Sequence, residues 1–245
     1  MSFKYAVLIP ARYESSRFPG KPLADINGKP MIQHVWDKCV AAVGSELVYV
    51  ATDDDRIAKV VKDFGGQYIM TSSNCLTGTD RLAEANESLQ LDFIINVQGD
   101  EPMLEPTDII KVRDAFIKNP AQIVNAYTKI SDNEDPYSTT LPKVVTSKSG
   151  NLLYMSRAAI PMSKYGEGKN NFKQVCIYAF SKEHLEFFSL NPAKTKIEDV
   201  EDIEILRFLE NDISVKMIEV DNVGIAVDTP ADLEKVIFYM NSNEK

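Results

Sequence analysis

The stretch YAVLIPARYESSRFPGK, residues 5–21, carries a strand directly into a cationic loop. Five apolar residues at 5–9 precede Pro10, and residues 11–21 then contain Arg12, Arg17 and Lys21. A short apolar run bounded by turn residues indicates a strand buried on both faces. Three cations on a proline- and glycine-containing loop suit a triphosphate better than a single carboxylate, although an ordinary solvated connection can have the same composition. The rest of the chain must decide between these two interpretations.

Two further polar segments follow apolar runs. VQGDEP, residues 97–102, ends the run that begins at Phe93, and VDTP, residues 227–230, ends the run GIAV. In open α/β sheets, ligands bind beyond the carboxyl ends of the strands, so we expect these segments and the cationic loop to meet. Asp100 facing a phosphate loop is suited to hold Mg²⁺, which uses one or two carboxylates together with phosphate oxygens and waters.

A structural role is the alternative for both aspartates. Asp100 is equally suited to cap its own turn or the helix expected beyond Pro102. Asp228 precedes Thr229 and Pro230, and Asp or Thr before proline is a common arrangement at the start of a helix. The sequence pattern alone leaves the two roles open.

The first half of the chain alternates between two hydrophobic periods. Strands are predicted at 5–10, 47–51, 68–70 and 93–97, and helices at 31–43, 55–64, 79–89 and 107–118. Strands that alternate with helices imply right-handed crossovers and a mostly parallel sheet covered on both faces.

The pattern changes after residue 120. Strands are predicted at 124–130, 143–146, 152–156 and 175–180 with few helices between them, followed by a helix at 199–211, a strand at 215–220 and a helix at 230–240. We therefore expect one domain over residues 1–245, with an antiparallel excursion at about 122–190 that often forms a lid or a dimer face. The seven acidic residues between 198 and 212 are interpreted as a solvated helix face with carboxylates favoured by the helix dipole.

Composition excludes several classes of function. A net charge of −9 argues against a nucleic-acid partner, which requires a basic surface. Two histidines and three scattered cysteines provide little for a zinc site or a Ser-His-Asp triad, and suggest a reducing compartment. No signal peptide and no run of eighteen apolar residues is present, so we expect a cytoplasmic protein without a membrane partner. The cationic loop also matches neither the Walker A motif nor the Gly-x-Gly-x-x-Gly dinucleotide turn.

Between residue 4 and about residue 238 the chain resembles one enzyme family closely. The matching stretches are IPARYESSRFPGKPLADINGKPMIQHV, VATDD, GTDRLAE, INVQGDEPM, YMSRAAIP and VDTPADLEKV. They are similar to those of the 3-deoxy-manno-octulosonate (Kdo) cytidylyltransferases, or CMP-Kdo synthetases. The resemblance implies a glycosyltransferase-A-like α/β fold: a mixed, mostly parallel sheet flanked by helices, with an inserted antiparallel layer. It also implies CMP transfer from CTP to the anomeric hydroxyl of Kdo, a 3-deoxy sugar acid. Pyrophosphate release, a Mg²⁺ cofactor, a homodimer and a place in lipopolysaccharide or capsule synthesis are implied as well.

The resemblance also assigns roles to individual residues. Triphosphate binding and catalysis fall to Arg12, Arg17, Lys21 and Asp100, and nucleotide binding extends to Ala11, Ser72, Gly78, Thr79 and Gln98. Metal binding falls to Asp100 and Asp228, and sugar binding to Arg157, Gln174, Tyr178, Glu204 and Ile205. These roles fit the chemistry, because phosphoryl-type transfer depends on charge neutralisation and in-line placement more than on a covalent nucleophile.

Two positions depart from the family pattern on the acceptor side. The family's RH.G.Y.Y is KQVCIYAF at 173–180, so Gln174 replaces a histidine; its LEQLR is IEILR at 203–207, so Ile205 replaces a glutamine. These changes indicate either compensated drift or a related acceptor such as 8-amino-Kdo. Outside this enzyme class, a non-catalytic sugar-nucleotide sensor would not need Lys21 and the two aspartates, and a nicotinamide oxidoreductase would need the missing glycine fingerprint.

Overall fold

The computed structural model describes residues 3–15, 17–165, 171–221 and 224–243. The strands are β1 Tyr5–Ala11, β2 Asp25–Ile26, β3 Lys29–Pro30, β4 Val48–Thr52, β5 Gln67–Met70, β6 Phe93–Val97, β7 Ile123–Lys129, β8 Lys143–Thr146, β9 Leu152–Ser156, β10 Phe172–Ser181 and β11 Val215–Glu219. The helices are α1 Met31–Val43, α2 Asp55–Asp63, α3 Gly78–Leu89, α4 Pro106–Lys118, α5 Lys182–Leu190, α6 Lys196–Glu201, α7 Ile205–Leu209 and α8 Pro230–Asn243. Short 3₁₀ turns cover Lys21–Leu23 and Ser45–Leu47.

Nine of these strands form one mixed sheet. Its main order is β11-β7-β10-β6-β1-β4-β5, and β8 and β9 extend it through β10. All neighbours along the main order are parallel except at β10, which runs antiparallel to both β6 and β7. The predicted fold class, a mostly parallel sheet with antiparallel strands inserted, is confirmed. The excursion does not lie apart from the sheet, because β7 and β10 lie inside it, between β11 and β6.

Helices cover both faces of this sheet. Val7 and Ile9 of β1 pack in a core with residues of α1, α2 and α4. Ala6 and Leu8 face the other way, into a core with residues of α3, α5 and α7. A strand buried on both faces needs consecutive apolar residues, which explains the opening run of the sequence. Within the described ranges, no helix combines the length and the apolar content needed to cross a bilayer.

Two glycines shape the ends of β1 and β6. Gly20 has φ of 71°, and a Cβ added there would lie 3.1 Å from the Tyr13 ring. The Gly20 N–H also donates to the Tyr13 carbonyl at 2.8 Å, which closes the cationic loop. Gly99 brings its backbone so close to β1 that an added Cβ would lie 3.2 Å from the Pro10 carbonyl oxygen. The polar segments after β1 and β6 are therefore held side by side.

The predicted secondary structure differs from the observed one at three places. The helix expected at 199–211 is two helices, α6 and α7, because Asp202 adopts a left-handed φ of 50° after α6. Helix α5 was not predicted, since β10 continues into it without a break: Ser181 is both the last strand residue and the N-cap, and its Oγ accepts from the His184 N–H at 3.2 Å. The small β2–β3 hairpin was not predicted either.

Candidate active site

Two adjoining cavities open at the carboxyl ends of β1 and β6. The small cavity has a volume of about 340 Å³ and the large cavity about 720 Å³. They share the lining residues Arg12, Arg17, Gln98, Asp100, Asp202, Ile203, Glu204 and Asp228. All the predicted site residues except Ser72 line one cavity or both.

A lysine joins the two predicted metal-binding aspartates where the cavities meet. Lys21 Nζ lies 2.8 Å from Asp100 Oδ2 and 3.6 Å from Asp228 Oδ1. Arg17 Nη2 lies 3.0 Å from the same Asp228 oxygen. The three polar segments singled out in the sequence, after β1, after β6 and before α8, thus converge as expected, although the apolar run before the third, residues 224–227, forms no strand.

The capping alternative for the aspartates does not match their contacts. At the start of α8, the cap is Thr229, whose hydroxyl accepts from the Asp232 N–H at 3.3 Å while Asp232 Oδ2 accepts from the Thr229 N–H at 3.1 Å. At α4 the N-cap position is Glu105. The Asp100 and Asp228 carboxylates face the cations of the loop instead.

Among the described residues, the side chains available to bind a metal ion are few. The described part of the chain contains no cluster of three or more His, Cys, Asp or Glu side chains that could hold a metal ion by themselves. Asp100 and Asp228 offer two carboxylates near one point, which fits Mg²⁺ when substrate oxygens and waters complete its shell. The residues present are thus compatible with a metal that is shared with a phosphate ligand.

The small cavity brings together most of the residues predicted to bind the nucleotide, whereas Thr79 lines only the large cavity. Ala11, Gly78 and Gln98 line it, and a Cβ added to Gly78 would lie 3.3 Å from Gln98 Nε2. Arg12 is exposed at its edge. Ser72 lies apart: its N–H donates to Glu84 Oε1 at 2.6 Å, and its Oγ accepts from the Asn74 N–H at 3.0 Å.

Glu204 connects the predicted sugar side to the predicted nucleotide side. Its Oε2 accepts from the Thr79 backbone N–H at 3.1 Å and from Thr79 Oγ1 at 2.5 Å. Burial raises the pKa of Glu204. The carboxylate occupies the N-terminal end of α3, where it satisfies an otherwise orphan N–H. In this structure the Glu204 carboxylate therefore binds the first turn of α3.

The interpretation of the acidic run as a solvated face holds only in part: Asp199, Asp202 and Asp212 are exposed, but other carboxylates of the run turn inward. Glu198 and Arg207 form an ion pair at 2.6 Å with both side chains 1% exposed. Glu201 also turns inward, accepting from Ser156 Oγ at 2.5 Å and from the Arg157 N–H at 2.8 Å. The α6–α7 turn brings residues nine positions apart into contact, and no helical periodicity in the sequence signals such a pair.

Gln174, predicted to contact the sugar acid, belongs to an amide network in the sheet. Gln174 Nε2 donates to Asn125 Oδ1 at 3.1 Å. Asn125 Nδ2 in turn donates to the Val175 and Ile177 carbonyls, both at 3.0 Å. These carbonyls belong to the irregular register of β10 against β7. Gln174 is thus fixed by Asn125 at the wall of the large cavity.

The other predicted sugar residues differ in how they meet the large cavity. Ile205 is only 2% exposed and packs in an apolar cluster with Phe180 and Phe208. Burial raises the pKa of the Tyr178 hydroxyl well above its ordinary value. Arg157 donates to three main-chain carbonyls, those of Glu201 at 2.5 Å, Thr139 at 2.8 Å and Asp202 at 3.0 Å. Its guanidinium therefore lines the large cavity and also holds three backbone segments of the cavity wall together.

Sequence reasoning missed several residues of the large cavity. Residues 139–142, Lys173 and Glu101 all line it. Glu101 Oε1 accepts from the Cys176 N–H at 3.0 Å, and burial together with the charge of Asp100 raises the pKa of Glu101. Glu101 lies beside Asp100 in the quoted QGDEP stretch and could have been found there, whereas the 139–142 loop has no distinguishing pattern.

Comparison with known proteins identifies the family. The family model described as cytidylyltransferase matches residues 6–218. The chain belongs to the cytidylyltransferase family. This cytidylyltransferase is 42% identical over 242 residues to the 3-deoxy-manno-octulosonate cytidylyltransferase of Geobacter sulfurreducens, with 94% of this chain and 96% of the relative covered. It is 40% identical over 237 residues to the 8-amino-3,8-dideoxy-manno-octulosonate cytidylyltransferase of Shewanella baltica, with 94% and 95% covered.

A solved structure supports the same assignment. The cytidylyltransferase superposes with a TM-score of 0.91 on CMP:2-keto-3-deoxy-manno-octonic acid synthetase complexed with CTP, at 40% identity and covering 98% of this chain and 99% of that one. The predicted family, the glycosyltransferase-A-like fold and the prediction of a nucleotidyltransferase enzyme are confirmed.

Proposed function

We propose that this cytidylyltransferase transfers CMP from CTP to the anomeric hydroxyl of Kdo and releases pyrophosphate. The observation that carries the proposal is the contact of Lys21 with both Asp100 and Asp228 at the junction of the two cavities. A nucleotide in the small cavity and a sugar acid in the large cavity would meet at this junction. The names of the full-length relatives support the two substrates.

The reaction needs charge neutralisation more than proton transfer. The anomeric oxygen forms a bond to the α-phosphorus of CTP, the bond between the α-phosphorus and the bridging oxygen to the β-phosphate breaks, and pyrophosphate leaves. The hydroxyl proton passes to solvent. Arg12, Arg17 and Lys21 lie where they would neutralise the triphosphate and the charge on the leaving group.

Asp100 and Asp228 are the residues that would hold Mg²⁺. Bound there, the ion would neutralise phosphate charge and lower the pKa of the attacking hydroxyl. In the described arrangement Lys21 balances the two carboxylates. Because phosphate oxygens complete the shell of Mg²⁺ in such sites, we expect metal and CTP to bind together.

The direct test measures pyrophosphate release from CTP and Mg²⁺ with a panel of 3-deoxy sugar acids. We expect release with Kdo or a close variant, and none when the sugar acid or the metal is omitted. CTP binding without release for any acceptor would contradict the proposal and favour the sugar-nucleotide sensor.

A related acceptor is the second candidate. Gln174 is bound to Asn125, and the buried Ile205 offers no hydrogen bond where the family has a glutamine. A site that loses a polar partner discriminates differently among hydroxylated substrates. The similarity to the Shewanella baltica enzyme makes 8-amino-Kdo the first variant to compare with Kdo.

The biological setting is part of the same proposal. We expect a cytoplasmic homodimer that supplies CMP-Kdo to lipopolysaccharide or capsule synthesis. The three free thiols, Cys39, Cys75 and Cys176, suit a reducing compartment. Sedimentation of the purified chain would test the dimer.

A further inference from the structure

Lys143, the first residue of β8, is fully buried beside the large cavity. Its side chain is 0% exposed, and its Nζ donates to the Ser138 carbonyl at 2.7 Å and to the Arg157 carbonyl at 2.5 Å. Among the described residues it has no ion pair, and burial lowers its pKa, as does the charge of Arg157. A buried ammonium is costly unless its donors are satisfied. Here backbone carbonyls satisfy two of them.

These carbonyls belong to two segments of the acceptor wall. Ser138 begins a loop, residues 138–142, of which Thr139, Thr140, Leu141 and Pro142 line the large cavity. Arg157, which follows β9, lines the same cavity. Lys143 therefore ties the loop to β9 from the buried side.

Arg157 makes a second tie between the same segments. Its Nη1 donates to the Thr139 carbonyl at 2.8 Å. Its other donors reach the Glu201 and Asp202 carbonyls, and so connect the loop and β9 to the segment that leads to Glu204. The proposed acceptor wall thus consists of three backbone segments: the 138–142 loop, the end of β9 and the segment before Glu204. Two cations join them, the exposed-side Arg157 and the buried Lys143.

We propose that Lys143 is a positioning residue for the sugar-acid acceptor: it holds the 138–142 loop against Arg157 and so shapes the acceptor wall without touching the substrate. The inference rests on the proposed function, since it presumes that the large cavity takes the sugar acid. Neither Lys143 nor residues 139–142 nor Arg157 lines the small cavity. Loss of Lys143 should therefore affect the acceptor and spare the nucleotide.

The test is Lys143→Met, which keeps an unbranched side chain of similar length and removes the donors. With the sugar acid that the native enzyme uses, we expect its KM to rise about tenfold or more, equivalent to the loss of one or two buried hydrogen bonds. The KM for CTP and the calorimetric Kd for CTP should stay within about twofold.

Lys216→Met is the matched control. Lys216 also donates its amine to a backbone carbonyl, that of Ser149, but it lines neither cavity. The same substitution there should leave both KM values unchanged. An equal rise in the sugar-acid KM for both variants would overturn the positioning role, because it would show a general effect of losing such a bond.

Rescue of Lys143→Ala separates the ammonium from the side-chain volume. Ethylammonium or propylammonium should lower the raised sugar-acid KM, and tetramethylammonium, which has no N–H donor, should not. Should Lys143→Met fail to fold, Lys143→Gln takes its place, and native acceptor kinetics in either folded variant would overturn the inference. Absence of pyrophosphate release from the native enzyme with every sugar acid would instead contradict the proposed function itself.

Discussion

Lys21 is the residue at which the charges of the site meet. Its side chain is 15% exposed, and its Nζ contacts carboxylates from two distant parts of the chain. Because those carboxylates also belong to both cavities, Lys21 is placed to exchange them for a phosphate when CTP binds. Its importance should therefore appear in turnover more than in folding.

Lys21→Ala tests this directly. We expect kcat/KM to fall by about 100-fold or more, the scale on which preorganised charge-stabilising groups contribute. Steady-state kinetics and thermal melting are the measurements, with Lys29→Ala as control because Lys29 forms an exposed pair with Asp37. Near-normal turnover of Lys21→Ala would end the interpretation of this loop as a triphosphate site.

The two aspartates should behave alike although they lie far apart in sequence. Asp100→Asn and Asp228→Asn should each abolish most of the turnover, because each would remove a charged oxygen from the proposed Mg²⁺ site, while the melting temperature stays near that of the native enzyme. Thr229→Ala is the contrasting variant: it removes the α8 cap and should cost about 1 kcal/mol of stability with activity retained. Full activity in excess chelator, or only a small loss of turnover in Asp228→Asn, would contradict the metal-binding role.

At the residue scale, the sequence predicted the groups that directly follow strand ends. Arg17 and Lys21 lie in the loop after β1 and Asp100 follows β6, whereas Asp228 follows an apolar run that forms no strand; the fold brings all four together. Lys143 was not predicted, since a lysine at the start of a strand is normally solvated and its carbonyl partners leave no mark in a side-chain pattern.

At the scale of elements, the α6–α7 turn is held by a buried ion pair. Arg207 donates to both carboxylate oxygens of Glu198, at 2.8 and 2.6 Å, and also to the Asn191 carbonyl at 3.0 Å. Its guanidinium carbon lies 3.7 Å from the centroid of the Phe188 ring on α5. One cation thereby joins three elements that the periodicity of the sequence leaves separate.

Glu198→Gln should destabilise the protein strongly. Removing one partner of a buried pair leaves an uncompensated charge, which typically costs about 3–5 kcal/mol. Urea unfolding gives the free energy of unfolding, and Asp199→Asn is the control, since Asp199 is an exposed carboxylate in the same first turn. A loss below about 1 kcal/mol for Glu198→Gln would show that the pair is dispensable for stability.

Element boundaries were predicted well where turn residues mark them and poorly elsewhere. The helix before Gly65 ends close to the expected position, at Asp63. The break between α6 and α7 falls at Asp202, where no glycine or proline stands, and Glu204 just beyond it accepts from the Thr79 N–H on α3. That contact is tertiary, so local sequence does not encode it.

At the scale of the whole molecule, the wall proposed to bind the acceptor depends on β10, which the fold inserts antiparallel between β6 and β7. This places Gln174 on the wall of the large cavity, which Ile205 of α7 also lines. The two departures from the family pattern thus meet in one cavity. Two departures that line one cavity are what we expect if these residues select the acceptor together.

The double change Gln174→His with Ile205→Gln tests that selection. We expect it to raise kcat/KM for Kdo and to leave the KM for CTP almost unchanged, because it restores a side chain that can carry positive charge at 174 and a hydrogen-bonding amide at 205. Since Ile205 is 2% exposed within an apolar cluster, the new amide should also lower stability, by about 1–3 kcal/mol where it lacks a partner. Kinetics with Kdo and 8-amino-Kdo, before and after the change, measure the effect on acceptor selection. Urea unfolding measures the effect on stability. If the native enzyme already uses Kdo as efficiently as the double variant, the substitutions are compensated drift, and the network of Gln174 with Asn125 is structural rather than selective.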